Sequence, residues 1–128
     1  MTIQEAIYLV DRLKPNQYEA IHKIRWLSKL DGMIWKEVMM THVGLTCEQI
    51  RQGFQGYEDA ARDTELLVPY PYDEDVYNYY LQSQIDKENM EIAKYNQTAA
   101  LFNNAYKAFC DYYNRTHRPI PKRSEFKV

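Results

Sequence analysis

Residues 81–113 read LQSQIDKENMEIAKYNQTAALFNNAYKAFCDYY, and this stretch decides the fold. Its apolar residues recur at alternating steps of three and four, which is the spacing of one face of an α-helix. They are Leu81, Ile85, Ile92, Tyr95, Ala99, Phe102, Tyr106, Phe109 and Tyr113. Only Glu88 interrupts the series. The stretch therefore predicts one long helix, or two helices joined near Asn89 or Asn96.

The first third of the chain carries two further helical patterns. Thr2 and Glu5 have the spacing of a capping box, and Pro15 ends the short helix that they begin. A second helix is predicted from an N-cap at Asn16 to about Thr41. Its apolar stripe contains Ile24, Leu27, Ile34 and Val38, and we expect this stripe to pack against the seam of residues 81–113. The prediction is an all-α fold, a small helical bundle with two long helical elements and one short N-terminal helix.

Between the two long elements the helical pattern fails. Residues 42–63 contain three glycines and are predicted to form a long irregular excursion, with one helical turn at 46–52. Residues 66–72, LLVPYPY, are predicted to be extended and either run along the surface or pair with a strand. Two prolines end the last helix, at positions 119 and 121. The prediction is a single domain, 1–117, followed by a flexible basic tail, 118–128.

The charge of the chain is unevenly distributed, although its net value is only −2. Residues 57–91 contain ten acidic and two basic residues, a net charge of −8, and residues 115–128 contain five basic and one acidic, a net charge of +4. Such segments can attract each other in neighbouring copies or bind a charged partner, and an ordinary solvated surface can have the same composition. No signal peptide or membrane-spanning run is recognisable, so a cytoplasmic protein is expected.

No pattern in the sequence predicts catalysis. The three histidines (His22, His42 and His117) lack the spacing of metal ligands on a helix, and the two cysteines are expected to be reduced thiols. Phosphate-binding loops and nucleophile elbows are absent from the sequence. The basic run 114–118 is short and its surroundings are acidic, so specific nucleic-acid binding is not expected. We therefore predict a protein without catalytic residues, cofactor or metal.

Tyrosine is unusually common, with twelve among 128 residues and ten of them at or after Tyr57. A tyrosine ring with its polar hydroxyl suits protein interfaces, although it also lines small helical cores. We predict an interface built from the Pro-Tyr segment, the acidic start of the long helix and the basic end of the chain. Its residues are Tyr70, Tyr72, Asp73, Glu74, Asp75, Tyr77, Arg115, Arg118, Lys122 and Arg123.

A family resemblance lies in the second half of the chain. It is carried by the segment ELLVPYPYDE at 65–74 and by spaced residues after it. These are Tyr77, Tyr80, Leu81, Ile85, Asp86, Asn89, Glu91, Tyr95, Asn96, Phe102, Asn103, Ala105, Tyr106 and the run Tyr113 to His117. This part of the chain resembles small head-gene proteins of tailed phages and prophages of Gram-positive bacteria, similar in type to helical head–tail connector (adaptor) proteins. Residues 24–38 support it more weakly, and residues 42–63 match nothing in it.

The resemblance implies a non-enzymatic virion structural protein. Identical copies of it would form a ring below the portal of the capsid, and the ring would receive the tail or a stopper protein. The implied partners are the protein itself, the portal protein and a tail or stopper protein, with no membrane. The implied location is the host cytoplasm during assembly and then the neck of the virion. The alternative is a small cytoplasmic phage accessory or regulatory binding protein, such as an assembly chaperone or a host-factor binder.

Overall fold

The computed structural model describes residues 1–121, and α-helices account for most of them. The helices are α1 (Ile3–Leu13), α2 (Ala20–Ile34), α3 (Cys47–Gln52), α4 (Asp73–Glu88) and α5 (Ile92–Thr116), and α2 continues as a π-helical segment, Trp35–Met39. The predicted all-α helical bundle is confirmed. None of the helices within residues 1–121 combines the length and the apolar character that crossing a bilayer would require.

The N-terminal ends of α1 and α2 differ in how well the sequence predicts them. The capping box of α1 is formed: the Thr2 hydroxyl accepts from the Glu5 N–H at 3.2 Å, and the Glu5 carboxylate accepts from the Thr2 N–H at 2.8 Å. The prediction of Asn16 as the N-cap of α2 is wrong, because α2 begins at Ala20. The Asn16 side chain instead accepts from the Tyr18 N–H at 3.0 Å, which stabilises a turn before the helix.

The seam of residues 81–113 is shared by two antiparallel helices, α4 and α5, which pack along each other. The joint lies at 89–91, and Met90 there has a φ of 60°, in the left-handed region that ends a helix. Ile85 before the joint is fully buried, whereas Ile92 after it is 73% exposed. Of the two predicted joints, the structure has the one at Asn89.

α4 occupies the centre of the bundle, because α1, α2 and α5 all pack on it. The stripe of α2 is buried as predicted, but the partner of α5 is mainly α4 and not α2. Phe109 is fully buried and Tyr113 nearly so, whereas Phe102 is only half-buried. α5 therefore contributes its large buried side chains near its C-terminal end, whereas α4 is buried along its whole length, from Asp73 to Asp86.

Residues 62–66 run beside the start of α1. The N–H groups of Ile3 and Gln4 donate to the carbonyls of Thr64 and Arg62 at 3.1 and 3.0 Å, and the Leu66 N–H donates to Met1 at 2.9 Å. Leu66 and Val68 are buried. Of the predicted extended segment, 66–72, only Leu66 takes part in this pairing, and the Tyr72 N–H donates to the Pro69 carbonyl at 3.0 Å in a turn. The bonds from Ile3 and Gln4 satisfy N–H groups at the start of α1 that lack a partner within the helix.

The predicted boundary after residue 117 is wrong, because residues 118–120 belong to the domain. The Val43 N–H donates to the Arg118 carbonyl at 2.7 Å, and the Ile120 N–H donates to the Thr41 carbonyl at 2.9 Å. His42 and Pro119 lie opposite each other in this antiparallel bridge. The rest of the predicted tail, with Lys122 and Arg123, lies outside the described residues.

Candidate interaction surfaces

The antiparallel α4–α5 hairpin brings the acidic and basic segments to the same end of the molecule. The rings of Tyr72 and Tyr112, one at the start of α4 and one near the end of α5, are 5.0 Å apart. The acidic residues 73–75 therefore lie near Arg115 in the fold, although about forty positions separate them in the sequence. We call this the charged end.

An open cleft of about 740 Å³ lies between α1 and the start of α4 at the charged end. Tyr70 is 86% exposed at its edge, and the carboxylates of Glu74 and Asp75 are exposed beside it. Glu5 and Leu9 line the side that belongs to α1. The cleft combines negative charge with an apolar wall, which is the chemistry that a basic segment with an apolar or aromatic residue would recognise.

The basic part of the charged end is also accessible. Arg115 and Arg118 are exposed. Among the ion pairs formed by residues 1–121, none includes these two guanidinium groups or the carboxylates of Glu74 and Asp75. The acidic and basic groups of the charged end therefore do not neutralise each other through direct contacts within that part of the chain.

Two of the residues predicted for the interface are buried, so these predictions are wrong. Tyr77 has no exposed surface, and its hydroxyl donates to Asp31 at 2.6 Å and accepts from the Val68 N–H at 2.9 Å. Asp73 is 7% exposed, and its carboxylate accepts from the Met1 amino group at 3.2 Å. Tyr72 is half-buried against Tyr112. The spacing 77, 81, 85 places Tyr77 on the buried face of α4.

The opposite end of the hairpin presents exposed apolar side chains among charged ones such as Lys87 and Glu88, and we call it the apolar tip. Met90 is 83% exposed and Ile92 is 73% exposed at its tip. The end of α1 lies nearby, because Lys14 binds Asp86 at 2.6 Å, and its neighbour Leu13 is 59% exposed. With a rise of about 1.5 Å per residue, α5 separates this apolar tip from the charged end by roughly 35 Å.

Asp31 forms a buried polar centre that the sequence does not reveal as one. Its carboxylate has no exposed surface and accepts hydrogen bonds from the hydroxyls of Tyr57 and Tyr77 and, at 3.1 Å, from the Leu67 N–H. Burial raises the pKa of Asp31, and the hydrogen bonds partly oppose that effect. Burial also raises the pKa of both tyrosines, so both hydroxyls remain donors. This centre ties α2 and α4 to the segment 57–67.

Two more buried charges join helices. Lys23 is 2% exposed and donates to Asp11 at 2.7 Å and to the Tyr18 carbonyl at 2.8 Å. Asp86 is fully buried and accepts from Lys14 at 2.6 Å and from the Thr98 hydroxyl at 3.0 Å. Lys23 and Asp86 each lie next to an apolar residue of a helical stripe. This is the only feature of the sequence that indicates their burial. Their partners make them structural contacts between helices.

An apolar groove of about 480 Å³ runs along the end of α2 and its π-helical segment, opposite α3. Its lining is Gly32, Trp35, Lys36, Met40, Thr41, Ile50, Gly53 and Phe54. The indole Nε1 of Trp35 is buried and has no hydrogen-bond partner within the described residues. No sequence pattern predicted this groove, because three of its eight lining residues come from the irregular excursion, 42–63.

Two of the three histidines, His42 and His117, contact Tyr113 near the end of α5. The Tyr113 ring stacks on His117 at 3.9 Å and contacts the His42 ring edge-on at 5.0 Å. The His42 Nδ1 donates to the Val38 carbonyl at 2.6 Å, so this cluster fastens α5 to the end of the π-helical segment. His22 is exposed on α2. Within residues 1–121 no group of three histidine, cysteine, aspartate or glutamate side chains is arranged to hold a metal ion.

Comparison with known proteins adds no relative: no protein-family model matches the chain, and neither a curated protein nor a solved structure is significantly similar to it.

Proposed function

We propose that this protein is a non-enzymatic virion structural protein, a head–tail connector that assembles as a ring below the portal of a tailed phage. The observation that carries the proposal is the exposed acidic and basic groups at the charged end, without ion pairs among themselves. The resemblance of residues 65–117 to connector proteins supports it.

Side-by-side copies in a ring make heterologous contacts, so two different surfaces of one chain must complement each other. The cleft with Tyr70, Glu74 and Asp75 is one such surface, and Arg115 with Arg118 is the other. Exposed charges at a rim set mainly the association rate and the salt dependence. The ring of Tyr70, which is 86% exposed, is the group at the cleft whose burial contributes most to affinity.

A connector must also bind two different proteins along the axis of the particle. The two ends of the α4–α5 hairpin differ, because only the apolar tip adds the exposed side chains of Met90 and Ile92 to its charged residues. In the proposal the apolar tip and the charged end face different partners, the portal protein on one side and a tail or stopper protein on the other. The protein would then move from the host cytoplasm to the neck of the virion as assembly proceeds.

A charge exchange tests the lateral contact. Two double variants each place like charges opposite each other, Glu74→Lys/Asp75→Lys and Arg115→Glu/Arg118→Glu. Neither should be incorporated into phage particles that are produced from the genome carrying the gene. The chain with all four substitutions restores complementarity and should regain incorporation, measured by immunoblotting of purified particles. Circular dichroism of each variant checks that the fold is kept. If the fourfold variant fails while remaining folded, these surfaces are not the lateral contact.

A small accessory or regulatory binding protein is the second candidate, and the apolar groove between α2 and α3 favours it, because such grooves take helices or peptides of other proteins. The two functions differ in where the protein is found at the end of assembly. A connector is present in purified particles in fixed proportion to the portal protein. An assembly chaperone or a host-factor binder is present in infected cells and absent from purified particles.

A further inference from the structure

The described chain ends next to Thr41, which is one of the residues that line the apolar groove. Residues 118–120 pair antiparallel with residues 41–43, with Ile120 bonded to Thr41. In an antiparallel pair each further residue on one strand lies opposite an earlier residue on the other. If the chain keeps this direction after Ile120, it runs toward Met40, which is also part of the groove lining.

The groove has the properties of a surface that lacks its cover. Ile50 is 44% exposed and Met40 is 38% exposed within it. The Trp35 indole N–H has no acceptor among the described residues, although buried polar groups are almost always paired. A segment of chain lying in the groove would bring backbone carbonyls, and one of them could accept from this N–H after a small movement of the ring.

We propose that residues 122–128, KRSEFKV, dock into this groove of their own chain with the Phe126 ring against Trp35, Ile50 and Phe54. The proposal is independent of the connector function. Phe126 and Val128 are the only large apolar residues of the segment, and Glu125 is its only acid, which suits Lys36 in the groove lining.

The length of the segment fits the distance. From Pro121 to Phe126 the chain can extend by about 16 Å, at roughly 3.3 Å per residue. Along the helix from Thr41 back to Gly32 the groove measures roughly 14 Å at about 1.5 Å per residue. A short connection to the docked residues gives an effective concentration of about 1 mM, so that even a weak contact is occupied within one chain.

The docked segment would cover apolar surface through which the protein could otherwise associate with other molecules. It would also hold Lys122 and Arg123 near Thr41. These two basic residues would then extend the line of positive charge from Arg115 and Arg118. The position of the basic end would be fixed by an aromatic anchor, in place of a freely moving chain.

Tryptophan fluorescence tests the docking. Trp26→Phe leaves Trp35 as the only tryptophan, and in this background the full-length chain is compared with the chain ending at Pro121. We expect the full-length chain to have blue-shifted emission and weaker quenching by acrylamide. Phe126→Ala should lower the docking equilibrium by roughly tenfold, which is the expected effect of losing one buried aromatic side chain. The matched control Lys127→Ala should behave like the parent.

A second arm separates the possible occupants. The synthetic peptide KRSEFKV, added to the chain ending at Pro121, should restore the emission of the full-length protein in a saturable way. In the full-length protein the blue shift should be independent of protein concentration. A blue shift that disappears on dilution would assign the groove to the segment of a second copy and overturn docking within one chain. Identical emission and quenching with and without residues 122–128 would overturn the proposal altogether.

Discussion

Asp31 is a carboxylate in the core with three hydrogen-bond donors around it and, within residues 1–121, no cation among its partners. Burial disfavours its charged form, whereas each donated hydrogen bond favours it. The net result is a pKa above the ordinary value of 3.8. Two of the donors are tyrosine hydroxyls whose own pKa is raised, so the centre is held together by neutral donors on Tyr57 and Tyr77.

Asp31→Asn tests this balance. Both oxygens of the carboxyl group can accept hydrogen bonds, whereas the amide has one acceptor, so at least one donor loses its partner, and the unfolding free energy should fall by about 2 kcal/mol near pH 4. Because the pKa of Asp31 is raised in the folded state, its stabilising effect is complete below pH 3.8 and decreases as the pH rises through the raised pKa. The stability difference between parent and variant should therefore narrow with rising pH, in urea denaturation from about pH 4 to about pH 8.

Asp111→Asn is the matched control, because Asp111 is half-exposed on α5 and its ion pair in the described part of the chain is with Lys107. Its effect should stay within about 0.5 kcal/mol at every pH. A difference for Asp31→Asn that widens with rising pH would mean that the hydrogen bonds outweigh burial and would contradict the raised pKa.

Whether a single residue is buried depends on the helix face that it occupies. The sequence shows that face only where the spacing of the apolar residues is clear. Tyr77 stands four residues before Leu81, so its burial could have been predicted from the spacing. The burial of Asp31 could not be predicted in this way. A charged residue within an apolar stripe is equally compatible with a position at the edge of the stripe and with a buried polar centre. The donors that decide between them come from Tyr57 and Leu67, which lie in a segment without helical periodicity.

The point at which one helix ends and the next begins depends on the backbone conformation of a few residues, and the apolar seam does not predict that conformation. Between α4 and α5 the reversal is achieved by Met90, whose φ of 60° costs an ordinary residue about 1–2 kcal/mol. The side chain is 83% exposed, so it contributes little packing to the folded state. The spacing of the apolar seam in the sequence is the same before and after the joint. The sequence is therefore equally compatible with one long helix and with two helices.

Met90→Gly should therefore raise the unfolding free energy by about 0.5–1 kcal/mol, since glycine adopts the left-handed conformation without strain but is more flexible when unfolded. Thermal or urea denaturation measures the change. The control is Ala108→Gly, an exposed position inside α5, where glycine should lower the stability by about 1 kcal/mol. Destabilisation by both substitutions would show that the left-handed conformation at residue 90 is not strained.

The pair of Lys14 and Asp86 holds the end of α1 against the α4–α5 hairpin. In Lys14→Met the apolar stem is kept and the ammonium group is lost, which leaves a fully buried carboxylate with the Thr98 hydroxyl as its remaining partner. The unfolding free energy should fall by about 3 kcal/mol. Adding Asp86→Asn removes the uncompensated charge, so the double variant should lose less than the sum of the two single variants. Additive losses would show that the two groups do not interact.

Over the whole chain, the sequence predicts the helices much better than the way in which they enclose the core. Periodicity and the capping box locate α1, most of α2, and the α4–α5 region. The central place of α4 depends on long-range contacts that leave no local signal, and the same holds for residues 118–120. Proline at 119 and 121 suggested a free tail, yet the carbonyl of Arg118 and the N–H of Ile120 remain available for pairing and are used.

Two truncations distinguish the paired residues from the segment after them. A chain ending at His117 loses the bonds from Val43 to Arg118 and from Ile120 to Thr41, whereas a chain ending at Pro121 keeps both. Each such bond contributes about 0.5–1.5 kcal/mol, so the shorter chain should be about 1–2 kcal/mol less stable than the chain ending at Pro121. Amide exchange should also become faster at Val43, and the buried core amides should keep their relative order of protection. Equal stability, with unchanged exchange at Val43, would mean that the domain does end at residue 117, because the backbone pairing would then contribute nothing to holding the excursion against α5.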